Sequence, residues 1–175
     1  MTTWVYVDET KRGRYLLVAV PLTDAGSTRR SVTALILPGQ RRLHMVRERD
    51  SRRRLILSTL VTIGIEATIY DAGRTYPTDR EARAACFRAL VEDLASSGGD
   101  TRLVIEQDDS LVSLDNQWLI EFTRATGQRD TLLYEHQRAS SDPLLAVPDA
   151  LAWAWAKGGD WRRRAEPLIT AVRAV

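Results

Sequence analysis

The sequence predicts an α/β domain in which a mixed central sheet opens with an antiparallel hairpin, continues with parallel strands and carries helices on both faces. Three observations carry this reading. Two apolar runs, 3–7 and 15–20, flank a short polar stretch; later strand-like runs alternate with segments of helical periodicity; and Gly or Pro punctuates most of the alternations. With 175 residues, 44% hydrophobic and 27% charged, the chain suits a single domain over 1–175 and excludes disordered and low-complexity classes.

Residues 3–7, rich in β-branched and aromatic side chains, form the first strand, and the polar stretch 8–13 reads as a turn. Residues 15–20 return as a second strand and stop at Pro21, which makes the pair a hairpin. Ser27 or Thr28 caps a short helix to Leu37, although Val32, Thr33 and Ile36 leave a strand open there. Residues 42–46 are extended. Asp50 or Ser51 then caps a helix with Leu55, Leu60 and Ile63 at roughly helical spacing, ended by Gly64. Residues 65–70 alternate apolar and polar as a strand does, and 71–73 break it. Thr78, with Glu81 three positions on, opens the strongest helix, whose stripe from Ala82 through Cys86 and Leu90 lasts until Gly98. Residues 102–106 form a short strand ending in acid, 114–126 a helix with Trp118, Leu119 and Phe122 on one face, and 131–135 another strand. Pro148 and Asp149 open a helix over 150–157, and a helical or irregular tail runs from 161 to 175. Strands joined through long helices run parallel by right-handed crossovers. Their C-terminal ends then collect on one edge, where α/β sheets place their chemistry.

Several function classes drop out. No apolar run approaches the ~18 residues that span a bilayer, and the start lacks a secretory profile, so a cytoplasmic protein with no membrane partner is expected. Cys86, the single cysteine, forms no internal disulfide or Cys-based metal cage and reads as a buried filler. Neither a Gly-rich dinucleotide loop, nor a phosphate-loop Lys, nor a Gly-x-Ser-x-Gly elbow is present. His136 reads as a satisfied structural histidine, and His44 as a phosphate or leaving-group contact. Net charge is only +2, yet the basic residues are 23 Arg against 2 Lys. Seven of those arginines (41, 42, 47, 49, 52, 53 and 54) fall within fourteen positions, and Arg162, Arg163 and Arg164 form a second knot. Guanidinium forks suit phosphate, so these are phosphate-facing patches or, with Glu48 and Asp50 interspersed, an ordinary solvated face. Trp153 and Trp155 are two apart and point to different sides of a helix. One belongs to the core, while the other, with Trp161, stacks on a base or packs under the tail.

Acids fall at or just beyond the strand ends: Asp8 and Glu9, Asp71, Glu106 with Asp108 and Asp109, and Glu135, with Asp149 at a helix start. Solvated loops also carry acids, and Asp71 and Glu135 fit that explanation individually. Asp8, at the end of a central strand, does not. Asp149 sits among apolar neighbours, where its carboxylate either caps the helix or serves a site. Glu106 follows a buried run, and capping by Asp109 or Ser110 leaves it free. Carboxylates brought to one edge repel unless cations neutralise them. All-oxygen ligands suit Mg²⁺ or Mn²⁺, and an ion pair ~4 Å apart supports phosphodiester cleavage.

Taken in order, residues 5–10, the hairpin, the 43–44 segment, the strand ending at Glu106 and the 147–153 segment resemble the ribonuclease H-like superfamily. More narrowly they are similar to an uncharacterised bacterial family that opens with hydrophobic-Asp-Glu-Ser-Gly and ends with a Leu-Ala-Asp-Leu helix. Thr10 and Lys11 stand where that family has Ser-Gly, and Pro148 where it has Ala. The resemblance implies a ribonuclease H-like fold and a divalent-metal-dependent nuclease acting on RNA or DNA. Asp8, Glu106 and Asp149 would be its catalytic carboxylates and its ligands for Mg²⁺ or Mn²⁺, and His44 would match a family histidine or lysine. The alternative is an inactive module of the same fold that binds nucleic acid or a protein partner. The kind of nucleic acid and the oligomeric state stay open.

Overall fold

In the computed structural model, which describes residues 1–175, the hairpin pairs strand β1 (Thr3–Thr10) with β2 (Tyr15–Leu22). Seven of the eight residues of β2 are buried, so it has no solvent face and lies inside the sheet. Helices α1 (Ala25–Thr33) and α2 (Asp50–Thr62) follow, then β3 (Ala67–Gly73), α3 (Asp79–Ser97), β4 (Thr101–Glu106), α4 (Val112–Ala125) and β5 (Leu132–Gln137). The chain closes with α5 (Ala146–Lys157), α6 (Gly159–Ala165) and β6 (Ile169–Ala174). The six strands lie in the order β5-β4-β1-β2-β3-β6. Only β2 runs against the others, so β1, β3, β4, β5 and β6 all end on the same edge.

Period two along the strands divides the core into two layers. Tyr6, Val18, Ile69 and Val104 face α1, α2, α5 and α6, whereas Val7, Leu17, Tyr70 and Ile105 face α3 and α4. Helices therefore cover both faces, as the sequence predicts. Helix α5 buries eight of its twelve residues, including Leu151 and Trp153, which fits a helix pressed between the sheet and its neighbours α2 and α6.

Departures from the sequence reading each have a local cause. Residues 8–10 belong to β1 and not to a turn, because Asp8, Glu9 and Thr10 pair with Val18, Leu17 and Leu16. Backbone pairing in a central strand outweighs their polar side chains. Helix α1 is capped by Asp24, whose Oδ1 accepts the Ser27 N–H at 2.9 Å, ahead of the expected Ser27 or Thr28. Residues 45–47 form a 3₁₀ turn that replaces the end of the stretch 42–46 expected to be extended. Strand β3 pairs antiparallel with β2, since the link between them holds two helices and re-enters the sheet at the edge where β2 left it. The tail contributes α6 and the edge strand β6, parallel to β3. Three of the six β6 residues in a row are exposed, so its pattern carries no buried alternation to read.

The start of α3 follows its sequence signal. Thr78 Oγ1 accepts the Glu81 N–H at 3.2 Å and donates to Glu81 Oε2 at 2.7 Å. At the other end Gly98, at φ 69°, closes the helix in a conformation that a side chain disfavours. We expect Thr78→Ala to cost about 1 kcal/mol and to lower Tm by about 2–4 °C, read by calorimetry; an unchanged Tm would show that the cap does not hold this end.

Candidate functional site

Adjacent residues of β1 point to opposite faces, and this sorts the acids. Asp8 shares the α5 face with Tyr6, while Glu9 faces α3. On β4, Glu106 shares the α5 face with Val104. Parallel pairing sets Val7 against Ile105, so the next residues, Asp8 and Glu106, lie side by side on neighbouring strands. Asp149, in the first turn of α5, completes the group from the helix above.

Asp8 is only 7% exposed. Burial pushes its carboxyl well above the ordinary aspartate range, and the negative charges of Glu106, Glu9 and Asp149 push it further. Buried Asp8 thus lies within the electrostatic reach of two partly exposed acids remote in sequence, Glu106 and Asp149. Each also has a partner from the chain itself. Asp8 Oδ1 accepts the Glu9 N–H at 2.8 Å, Arg42 Nη1 donates to Glu106 Oε1 at 2.7 Å, and the Met45 N–H donates to Asp149 Oδ2 at 3.1 Å. His44 Nδ1 stands 3.4 Å from the same Asp149 oxygen. No three His, Cys, Asp or Glu side chains stand close enough around one point to hold a metal ion as placed. The donor chemistry, three carboxylates and no nitrogen or sulfur, is that of a hard cation. Arg42 supplies the positive charge at Glu106.

Asp149 does not cap its helix: α5 begins at Ala146, three residues earlier, and Pro148 sits in the first turn where its missing N–H costs nothing. The carboxylate is left for Met45 and His44. The competitors of Glu106 are occupied in the loop. Asp108 accepts the Ser110 N–H and hydroxyl at 3.0 and 2.6 Å, and Asp109 pairs with Arg138 at 3.1 Å. Asp71 pairs with Arg14. Glu135 lies within β5 and not beyond it.

His44 forms the wall between two clefts. One, of about 360 Å³, is lined by Gln40, Arg41, Arg42, Arg47 and Ser140 with no apolar side chain. The other, of about 300 Å³, is lined by Glu9, Lys11, Arg12, Asp149 and Trp153. Two larger clefts, beside α1 and beside β6, contain none of the three acids.

The arginine run divides between structure and surface. Arg53 donates to the Met45 carbonyl at 2.8 Å and lies over Trp153 at 4.5 Å, Arg54 lies over Trp161, and Arg52 binds the Leu35 carbonyl and Glu48. Arg41 and Arg47 are exposed and enter no ion pair. Trp153 is the core tryptophan and meets Trp161 edge-on at 5.2 Å, while Trp155 is covered by Arg162 at 4.0 Å. The Trp161 packing is the tail contact that the sequence leaves open. Cys86 is buried, and His136 is satisfied by Asp115 at 2.9 Å, both as expected.

Two residues at the site and a buried ion pair on the other face of the sheet, Arg83 with Asp115 at 2.7 Å, escape sequence reasoning. Arg42 and Met45 act from a loop whose shape no pattern announces. Arg83 and Asp115 do leave a signal: each lies on the buried stripe of its helix, and a charge there requires a partner. No helix is long and apolar enough to cross a membrane. Compared with known proteins, the chain matches no protein-family model and no curated protein.

Proposed function

We propose that this protein is a divalent-metal-dependent nuclease, with Asp8, Glu106 and Asp149 as the residues that hold Mg²⁺ or Mn²⁺ and RNA or DNA as its substrate. The observation that carries the reading is the placement of Asp8 beside Glu106 at the C-terminal ends of β1 and β4, with Asp149 of α5 near enough for its charge to act on Asp8. A carboxyl forced above its normal pKa by burial and then by neighbouring acids is an arrangement that a cation relieves. The strand arrangement, an antiparallel β1-β2-β3 meander followed by parallel β4 and β5, supports the ribonuclease H-like reading of the fold.

A bound ion of this class supplies water activation and stabilisation of the leaving oxygen. The chain's own residues do the rest. Arg42 fixes the orientation of Glu106, the Met45 N–H fixes Asp149, and His44 stands at the junction of the two clefts, where a leaving oxygen would need a proton donor.

The Arg42–Glu106 pair favours a second reading, an inactive module of the same fold, because a guanidinium already neutralises one of the three acids. Titration calorimetry with Mn²⁺ separates the two. The nuclease reading expects binding that Asp149→Asn weakens at least tenfold, together with Mn²⁺-dependent cutting of at least one of single-stranded DNA, duplex DNA, RNA or hybrid. No heat with Mn²⁺ and no cutting of any of the four would leave the inactive module standing.

A further inference from the structure

We propose that the cleft walled by Gln40, Arg41, Arg42, His44, Arg47 and Ser140 is a phosphate subsite, coupled to the carboxylates through Arg42. The cleft holds about 360 Å³, has no apolar lining and gathers three guanidinium groups. Two of them, Arg41 and Arg47, have no acidic partner, so their donors are free for a ligand. The single acid in the wall, Glu48, is turned away from this role. Its side chain is 3% exposed, Gln40 Nε2 donates to it at 3.0 Å, and Arg52 Nε lies 3.5 Å from it. What faces the cleft is therefore net positive and rich in forked donors, which is the chemistry that grips a phosphate oxygen pair.

Arg42 makes the cleft more than a basic patch. One of its nitrogens is spent on Glu106 at 2.7 Å, and the same guanidinium lines the cleft. A phosphate in the cleft and the carboxylate of Glu106 compete for one cation. Filling the cleft draws Arg42 away from Glu106 and frees that carboxylate for a metal ion, so phosphate and metal would each favour the other's binding. That the natural occupant is a nucleic-acid phosphate rests on the nuclease reading above. The affinity of the cleft for phosphate does not.

The test is titration calorimetry with inorganic phosphate at low ionic strength, without divalent ions. One binding site is expected. Arg41→Ala and Arg47→Ala, both at exposed positions, should each weaken it about tenfold, whereas Arg163→Ala, in the other arginine knot, should leave it unchanged. Glu106→Gln should tighten it several-fold by releasing Arg42. Absence of phosphate binding, or an equal loss in Arg163→Ala, overturns the subsite; unchanged affinity in Glu106→Gln overturns the coupling. A 5′-phosphorylated oligonucleotide that outbinds its unphosphorylated twin, by a margin lost in Arg47→Ala, identifies a terminal phosphate as the occupant. Equal binding of the two, weakened in Arg47→Ala, identifies an internal diester. Failure of the nuclease reading is recorded separately, by Mn²⁺ titration without phosphate.

Discussion

Asp115→Ala is expected to lower the unfolding free energy by about 3–5 kcal/mol, a large part of what a domain of this size holds. Asp115 is wholly buried on α4, and both its oxygens are used: Arg83 donates from Nε at 2.7 Å and from Nη2 at 2.8 Å, and His136 Nε2 stands at 2.9 Å. Arg83, 1% exposed, also meets Glu9 at 2.8 Å and the Tyr15 hydroxyl at 3.3 Å. One network thus ties β1, β2, α3, α4 and β5 together. Removing its central anion leaves a buried guanidinium with a single acidic partner. Urea unfolding measures the loss, and a value below about 1 kcal/mol would mean that water or a rearranged Glu9 replaces the missing carboxylate. The pH dependence has a definite sign. Burial pushes the Asp115 carboxyl up, but the bonds from Arg83 and His136 outweigh it and leave the group below the normal aspartate value. Its stabilisation is present above the unfolded-state pKa of about 3.9 and is lost as pH falls through the lower folded value. The gap between the native protein and the variant should therefore narrow in acid.

Asp8→Asn is expected to do the reverse: to make the fold more stable and, under the proposed function, to disable the site. Burial, then the charges of Glu106, Glu9 and Asp149, raises the Asp8 pKa, which means that the ionised form is penalised in the folded protein. A raised carboxyl costs nothing below the unfolded-state pKa, where both states are protonated, and its cost grows as pH rises toward the folded value. Asparagine keeps the shape without that penalty. A gain in stability at neutral pH follows from the direction of that shift, and the gain should vanish near pH 3, below the unfolded-state value. If the protein is the proposed nuclease, its Mn²⁺-dependent cutting should fall by at least about a hundredfold, the upper end of the loss when merely an outer partner of a metal ligand is removed. Unfolding curves of the two proteins at several pH values, beside cleavage assays with Mn²⁺, check both halves. A destabilised Asp8→Asn would show that the carboxyl serves the fold, and retained cutting would remove Asp8 from the site. Opposed effects on stability and activity are what a functional carboxylate in a costly location produces.

Much of this site is legible in the sequence alone. The apolar runs that end at Asp8 and Glu106 are strongly patterned, and strands of one direction deliver their ends to one edge, so the meeting of these two residues follows from period and topology. Asp149 stands out because a carboxylate among Leu144, Val147, Ala150 and Leu151 needs a reason. What stays hidden depends on loops and on pairing between distant segments. The loop before α2 carries Arg42 to Glu106 across 64 positions, and nothing local encodes that reach. Residues 8–10 resemble a turn because their side chains are polar, whereas their strand conformation is imposed by β2. Strand β6 is silent in the sequence for the corresponding reason: an edge strand borrows its shape from its neighbour β3.

Asp8 and Glu9 are neighbours in the chain with unrelated duties, one beside Glu106 on the α5 face of the sheet and one binding Arg83 of α3. Only the pleat separates the two duties. Inserting or deleting one residue ahead of Asp8, with the rest of the hairpin held in place, would therefore exchange them. It would send a shorter acid toward Arg83 and a longer one toward the opposite side. The spacing from Trp4 to Glu9 is thus a constraint on this protein separate from the identity of the apolar residues along it.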